Sequence, residues 1–239
     1  RNGARGVSTV NALYVLFDRE TGEPRAVIDG EALTLRRTAA ASLLAARYLA
    51  RHDTTNVLIV GTGRLARFMA HSHCTTRGVE RLVIWGRNAQ HAQSLASTLR
   101  EEGLPAEVAA DLEHAVGDSH IVSCATTATA PVVRGAWLAP GTHVDLVGAF
   151  KRNMREVDDA AVVRARIYVD TYAGALAEAA DIIEPIERGL IARADVRGEL
   201  AELVTGAVPG RSAADEITLF KSVGTAIEDL AAAQLLVRP

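Results

Sequence analysis

The stretch Val57 to Ala70, VLIVGTGRLARFMA, constrains this chain more than any other. Four apolar residues in a row, Val57-Leu58-Ile59-Val60, suit a strand buried on both faces of a parallel sheet. A G-x-G-x-x-A turn follows at once: Gly61, Thr62, Gly63, Arg64, Leu65 and Ala66. Leu65, Phe68 and Met69 then recur at helical spacing. Strand, glycine turn and helix in that order form the setting in which such a turn binds a dinucleotide. Gly61 permits the tight turn, Gly63 lets a pyrophosphate approach the backbone, and Ala66 keeps the helix close to the sheet. The free N–H groups at the helix start face the phosphate, aided by the helix dipole. The plainer reading is an ordinary strand-to-helix turn without a ligand; the flanking elements favour nucleotide binding.

The second strand is Arg81 to Trp85, RLVIW. Roughly 20 residues beyond the glycines an NAD enzyme places an acid on the ribose hydroxyls. Here the residues are Gly86-Arg87-Asn88. With no acid at that place, Arg87 is read as the partner of a 2′-phosphate, so NADP(H) is favoured and NAD(H) stays possible; the alternative is a surface arginine. His120 to Thr126, HIVSCAT, is a further strand. Its end, with Ala125 and Thr126, belongs to the ligand edge of such a sheet.

The remaining elements alternate. Ala12 to Phe17 and Arg25 to Ile28 predict a hairpin around a turn-rich connection at 18–24. Gly30 to Arg51 reads as an alanine-rich helix capped by Thr34. Helices are expected at Ala89–Glu102 and Asp111–Asp118, and strands at Ala106–Ala110 and His143–Gly148. Ile167 to Asp170 is expected to be the last parallel strand. Ala173 to Gly206 reads as mostly helical, broken near Pro185 and Gly189. A strand at Glu216–Phe220, a turn at Ser222-Val223-Gly224 and a closing helix at Thr225–Val237 complete the chain. This alternation argues a doubly wound α/β parallel sheet.

The totals exclude some roles. A formal charge of −3 over 239 residues gives no reason to expect nucleic acid or an anionic membrane as partner. Cys74 and Cys124, the only cysteines, form neither a disulfide framework nor a zinc pattern, and point to a reducing, cytoplasmic setting. No apolar run is long enough to span a bilayer. His71, His73 and Cys74 crowd one helix, but residues two apart do not share a face, so no metal site is expected. Arg36 and Arg37 are adjacent, and about 100° separates successive side chains, so only one can aim at a given ligand. A guanidinium fork suits a carboxylate, although spacing alone favours two solvated charges.

Several stretches together resemble the ornithine cyclodeaminase/mu-crystallin family: LTLRRTAAASLLAA (33–46), VLIVGTG (57–63), WGRN (85–88), PGTHVDLVGAFKRNMREVD (140–158) and EITLFKSVGTAIEDLAAA (216–233). The resemblance implies a Rossmann cofactor domain and a second, smaller α+β domain for substrate binding and dimerisation. The Rossmann part falls on 38–223 and the second domain on 1–37 with 224–239. It makes Arg37, the arginine before Thr-Ala-Ala, the ligand of a substrate carboxylate. It puts Asn88, Val147 and Ser222 beside the cofactor, and Val223 and Gly224 beside the substrate. The chain starts at Arg1 without Met, and most of the family's N-terminal region, with its substrate-facing basic residues, has no match here.

One departure within the family matters. Cyclodeaminases carry Gly-Gly-Asp-Cys-Pro-Gly-Lys-Thr-Glu, whose Asp is catalytic; this chain has Ala149 there and one more residue before the Glu. That pattern is closer to the ketimine reductase and mu-crystallin branch. The resemblance therefore implies a homodimeric NADPH-dependent reductase of cyclic ketimine carboxylates, of the Δ1-pyrroline-2-carboxylate or Δ1-piperideine-2-carboxylate type. The alternatives are an ornithine cyclodeaminase, an amino-acid dehydrogenase, or a non-catalytic NADPH-dependent binder of small molecules. Asp145, the acid nearest this edge in sequence, is read as facing the sheet or accepting a hydrogen bond rather than as the proton donor.

Overall fold

A computed structural model describes residues 11–237. Those parts of the proposed second domain that fall at 1–10 and 238–239 lie outside the described residues. The chain opens with an antiparallel hairpin, β1 (Leu13–Phe17) and β2 (Pro24–Asp29). The long helix α1 (Gly30–Leu49) follows. Its cap is Asp29, whose carboxylate accepts from the Glu31 and Ala32 N–H groups. Thr34, expected as the cap, sits one turn inside, where its hydroxyl donates back to the Gly30 carbonyl; the residue before the first turn has the free N–H groups within reach, and Thr34 does not.

Eight parallel strands form the main sheet: β3 (Asn56–Val60), β4 (Arg81–Trp85), β5 (Ala106–Val108), β6 (Ile121–Cys124), β7 (His143–Leu146), β8 (Arg166–Val169), β9 (Val196–Glu199) and β10 (Thr218–Lys221). Their spatial order is β5-β4-β3-β6-β7-β10-β8-β9. The order reverses between β3 and β6, the place where open sheets of this kind leave a crevice at their carboxyl ends. The helices are α2 (Arg64–Thr76), α3 (Ala89–Glu101), α4 (Leu112–Gly117), α5 (Asp159–Arg164), α6 (Tyr172–Glu178), α7 (Ala180–Glu187), α8 (Leu200–Thr205) and α9 (Ala226–Leu236). The fold is a Rossmann-type doubly wound α/β sheet.

Both faces of the sheet are covered, which is why its strands read as unbroken apolar runs. On one face Val57, Ile59, Leu82 and Ile84 pack with Ala39 and Ala46 of α1, Met69 of α2 and Leu99 of α3. On the other, Leu58, Val60, Val122 and Leu219 pack with Val116 of α4, Val162 of α5 and Ile182 of α7. The alanines of α1 let that helix lie close to the sheet. Ser42 fixes it there by donating to Asp145 Oδ1 at 2.9 Å.

Two further expectations are corrected. Ile167–Asp170 is not the last parallel strand: β9 and β10 follow, and β10 inserts between β7 and β8. The segment 173–206, expected to be mostly helical with breaks near Pro185 and Gly189, also holds the edge strand β9 at Val196–Glu199, and α7 runs through Pro185 to Glu187. That strand is four residues with a glycine and two charges, and no alternation marks it. The hairpin and the closing helix carry outward apolar side chains, with Leu13 at 76% exposure and Ile227 at 71%.

Candidate active site

The glycine turn closes directly over the sheet edge. Gly61 has φ +129°, and a Cβ there would lie 2.5 Å from the Ala125 carbonyl oxygen, so only glycine fits between β3 and the end of β6. Gly63 is the N-cap of α2, and no side chain caps that helix. Among the described residues a Cβ at Gly63 would meet nothing within 4 Å, so the backbone at the start of α2 is open there. An uncapped helix start of 13 residues beside open space suits a pyrophosphate. Ala66 is fully buried against the sheet, as close helix packing requires.

A cleft of about 670 Å³ runs from this turn along the N-terminal half of α1. It has the size of a small-molecule site. Gly63, Arg64 and Leu65 line it from the turn, and Ala125, Thr126 and Val147 from the ends of β6 and β7. Ser222, Val223, Gly224 and Arg37 line its other end. Ten of the residues expected at the site thus share one cleft. Thr62 packs beneath the turn, where a Cβ on Gly86 would lie 2.4 Å from its methyl group. Arg87 and Asn88 are exposed beyond the end of β4. The Asn88 side-chain Oδ1 also accepts from the Gln90 and His91 N–H groups and caps α3.

Arg37 is only 13% exposed. Its Nε donates to Asp229 Oδ1 at 2.9 Å and its Nη1 to Glu228 Oε2 at 3.1 Å, both on α9. Nη2 makes no hydrogen bond among the described residues and lies against Gly224, where a Cβ would come within 2.7 Å of it. Burial pushes the Glu228 carboxyl up to about 7, against the opposing pull of Arg37. Arg36 turns away, as helical geometry demands: its guanidinium stacks 5.2 Å from the Phe68 ring centroid.

Two carboxylates that sequence reasoning did not assign hold the cleft's walls. Asp170 Oδ2 accepts from the N–H groups of Val223 at 2.7 Å and Gly224 at 2.6 Å, and from the Ser222 hydroxyl at 3.2 Å. Glu156 accepts from Thr126, Gly148 and Ala149. An acid closing a buried strand, as Asp170 does after Ile167-Tyr168-Val169, was the available signal for the first. Asp145 is fully buried and accepts from Ser42 and from Ser123, each at 2.9 Å. Burial pushes its carboxyl up, but His73, His143 and Ser42 outweigh that and hold it below the usual carboxylate range. Asp145 thus joins α1 to the sheet and does not reach the cleft. Cys124 is buried packing, its thiol raised by burial. Among the described residues no group of His, Cys, Asp and Glu has the arrangement of a metal site, and no helix is long and apolar enough to cross a membrane.

Comparison with known proteins agrees with this geometry. The model of the ornithine cyclodeaminase/mu-crystallin family matches residues 1–238. A Δ1-pyrroline-2-carboxylate reductase of Paracoccus denitrificans is 42% identical over 240 residues, covering 99% of this chain and 75% of that protein. The structure of the Thermococcus litoralis Δ1-pyrroline-2-carboxylate reductase in complex with NADH and L-proline superposes with a TM-score of 0.96 at 38% identity, covering 99% of this chain and 73% of that one. An archaeal alanine dehydrogenase dimer with bound NAD gives 0.92 at 31% identity, covering 99% and 73%. A turn shaped for a dinucleotide, an arginine at the far end of the same cleft and a match across the whole chain converge: this chain belongs to the ornithine cyclodeaminase/mu-crystallin family.

Proposed function

We propose that this chain reduces a cyclic ketimine bearing a carboxylate, of the Δ1-pyrroline-2-carboxylate or Δ1-piperideine-2-carboxylate type, with NAD(P)H and NADPH preferred. One observation carries the reading: the open start of α2 and the guanidinium of Arg37 face a single cleft. The reductase names and the bound NADH and L-proline of the relatives support the same chemistry. The preference for NADPH rests on Gly86 and Arg87, where no acid stands to receive a ribose hydroxyl. The solved relatives hold NAD(H), so cofactor choice is the sharpest part of the proposal.

In this mechanism Arg37 offers Nη2 to the substrate carboxylate while Glu228 and Asp229 fix the other nitrogens of its fork. A guanidinium held on two sides loses little freedom on binding. Gly224, where a Cβ would strike the guanidinium, leaves room for Arg37 to reach the cleft, and Ser222 and Val223 line the wall beside it. The first turn of α2 and the ends of β6 and β7 would hold the dinucleotide, which would supply the hydride when bound. A protonated imine is the better acceptor, because the incoming hydride neutralises its charge; the protein's share is placement and electrostatics. Residues 38–223 form the cofactor domain in this reading, and 1–37 with 224–239 belong to a substrate-binding and dimerisation domain of a homodimer. The absence of an acid at Ala149, which is buried, argues against ornithine cyclisation.

The test follows NADPH and NADH absorbance separately during addition of each imine. Rapid loss of NADPH absorbance, slower with NADH, is the expected result. Ammonia release from an amino acid without imine reduction would turn the reading to a dehydrogenase or cyclodeaminase. Tight cofactor binding without turnover on either ring would make the chain a small-molecule binder.

A further inference from the structure

We propose that Glu156 is a positioning residue that ties the ends of β6 and β7 into one rigid wall of the cofactor side of the cleft. The inference rests on the cofactor reading above. Glu156 is fully buried. Its Oε1 accepts from the Thr126 N–H at 2.7 Å and the Thr126 hydroxyl at 2.9 Å. Its Oε2 accepts from the N–H groups of Gly148 at 2.9 Å and Ala149 at 3.1 Å. Thr126 and Gly148 both line the cleft. The two segments touch so closely that a Cβ at Gly148 would lie 2.0 Å from the Thr126 carbonyl oxygen. One side chain thus sets where both segments stop.

The clamp is itself held from behind. Asp181 on α7 accepts from the backbone N–H groups of Glu156 at 2.9 Å and Val157 at 3.2 Å. Lys221 on β10, the residue before Ser222, places Nζ 3.3 Å from Asp181 Oδ2. Both Lys221 and Asp181 are fully buried. Asp145, also buried at the sheet, takes only two side-chain hydroxyls, and Asp170 takes the backbone donors of the single 222–224 segment. Glu156 is distinguished by taking backbone donors from two such segments.

Only the ionised carboxylate can serve all four donors. It is acceptor-only with about four lone-pair sites, whereas the protonated acid turns one oxygen into a donor that faces an N–H. The groups facing Glu156 are Lys221 from β10, Asp181 from α7 and the Cys124 thiol from β6. Arg155, next in sequence, is spent on Asp159 and Glu184. Burial pushes the Glu156 carboxyl up to about 7, with Lys221 opposing and Asp181 adding to the rise. The wall therefore tightens as pH rises through neutrality and loosens below it.

The experiment uses Glu156→Gln, which keeps shape and offers one acceptor oxygen in place of two. Two readouts are taken between pH 6 and 9. They are the Kd of NADPH and NADH by fluorescence, and amide hydrogen exchange at 125–127 and 147–149 in the cofactor-free protein, corrected for intrinsic rates. In the unaltered protein, Kd and exchange should both fall as pH rises through about 7. In the variant, Kd should be about tenfold weaker at pH 8, and both profiles should flatten. A variant with unaltered Kd and the same pH profile overturns the proposal. If the variant does not fold, the unaltered protein decides: exchange at these amides that is flat across pH 7 overturns it. Binding of neither dinucleotide would sink the cofactor reading, while the exchange profile still tests the clamp by itself.

Discussion

The two ends of the cleft are built by opposite means. The end proposed for the cofactor is backbone: a glycine turn, a helix start without a side-chain cap, and strand ends pinned by the buried Glu156. The end proposed for the substrate is side chains: Arg37 from α1 meets Glu228 and Asp229, which lie more than 190 residues further along the chain. The turn and helix start of the first end are written in one contiguous stretch, and its strand ends come from β6 and β7. The second exists only when the two ends of the chain come together, and apolar side chains of the hairpin and α9 face outward beside it. A dinucleotide site made of backbone suits a ligand that many folds of this type share. A site made of side chains can be changed one residue at a time, which is how one scaffold reaches different substrates.

The largest effect is expected where side chains carry the whole load. Arg37→Ala should lower kcat/KM for the imine carboxylate by roughly a hundred- to a thousandfold, because it removes the fork and leaves two partly buried acids unpaired. NAD(P)H affinity should change less than twofold. Steady-state kinetics with a separate cofactor titration check both, and thermal melting should show a lowered Tm from the unpaired Glu228 and Asp229. Equal losses in cofactor and substrate binding would mean that the two ends are not independent, and the comparison would fail.

That asymmetry also decides what the sequence could show. VLIV followed by GTGRLA announces strand, turn and helix because every residue of the unit is local, and the turn's geometry needs glycine at Gly61. The order of β3, β4, β6 and β7 follows from the same alternation. The place of β10 between β7 and β8 does not, since nothing within Thr218–Lys221 says which strands it joins. Val196–Glu199 escaped because Gly198 and its charged neighbours carry no strand pattern. Arg37 was legible only through the resemblance to a family. Its partners were not, because an ion pair across such a separation leaves no spacing to read. The same holds for Glu156 and Asp170, whose roles lie in the backbone N–H groups they receive.

A smaller effect is expected at the rim of the cofactor end, where side chains return. Arg87→Ala should raise the KM for NADPH by about tenfold and leave that for NADH within twofold, as loss of one exposed charge on a phosphate would. Gly86→Asp should not by itself install a preference for NADH, because its Cβ would lie 2.4 Å from the Thr62 methyl. Adding Thr62→Ser removes that methyl and should let the acid reach the ribose. The ratio of kcat/KM for the two cofactors reads both steps. A wild-type ratio that already favours NADH, unmoved by Arg87→Ala, would take Arg87 out of the site.

The smallest effect belongs to the acid that shares Arg37. Burial pushes Glu228 up to about 7 from an ordinary 4.5. Above neutrality Arg37 faces two carboxylates and the cluster carries a net negative charge; below it Glu228 is protonated and the cluster is balanced. A substrate carboxylate should therefore bind a few-fold more tightly at pH 6 than at pH 8. L-proline as a competitive inhibitor reads this cleanly, because it stays zwitterionic across the range, and Glu228→Gln should remove the slope. The stability sign is the reverse of the usual one for an acid. A carboxyl whose folded value lies above its unfolded value contributes stability that is full below 4.5 and is lost as pH rises through about 7. Thermal melts should accordingly fall between pH 6 and pH 8 in the unaltered protein, and fall less in Glu228→Gln. Glu156 acts in the same direction on stability, yet in the opposite direction on binding, since its ionised form organises the cofactor wall. Rising pH should thus tighten the cofactor end while weakening the substrate end. A single pH titration of both affinities separates the two regions without any mutation, and parallel slopes would show that one electrostatic unit governs the whole cleft.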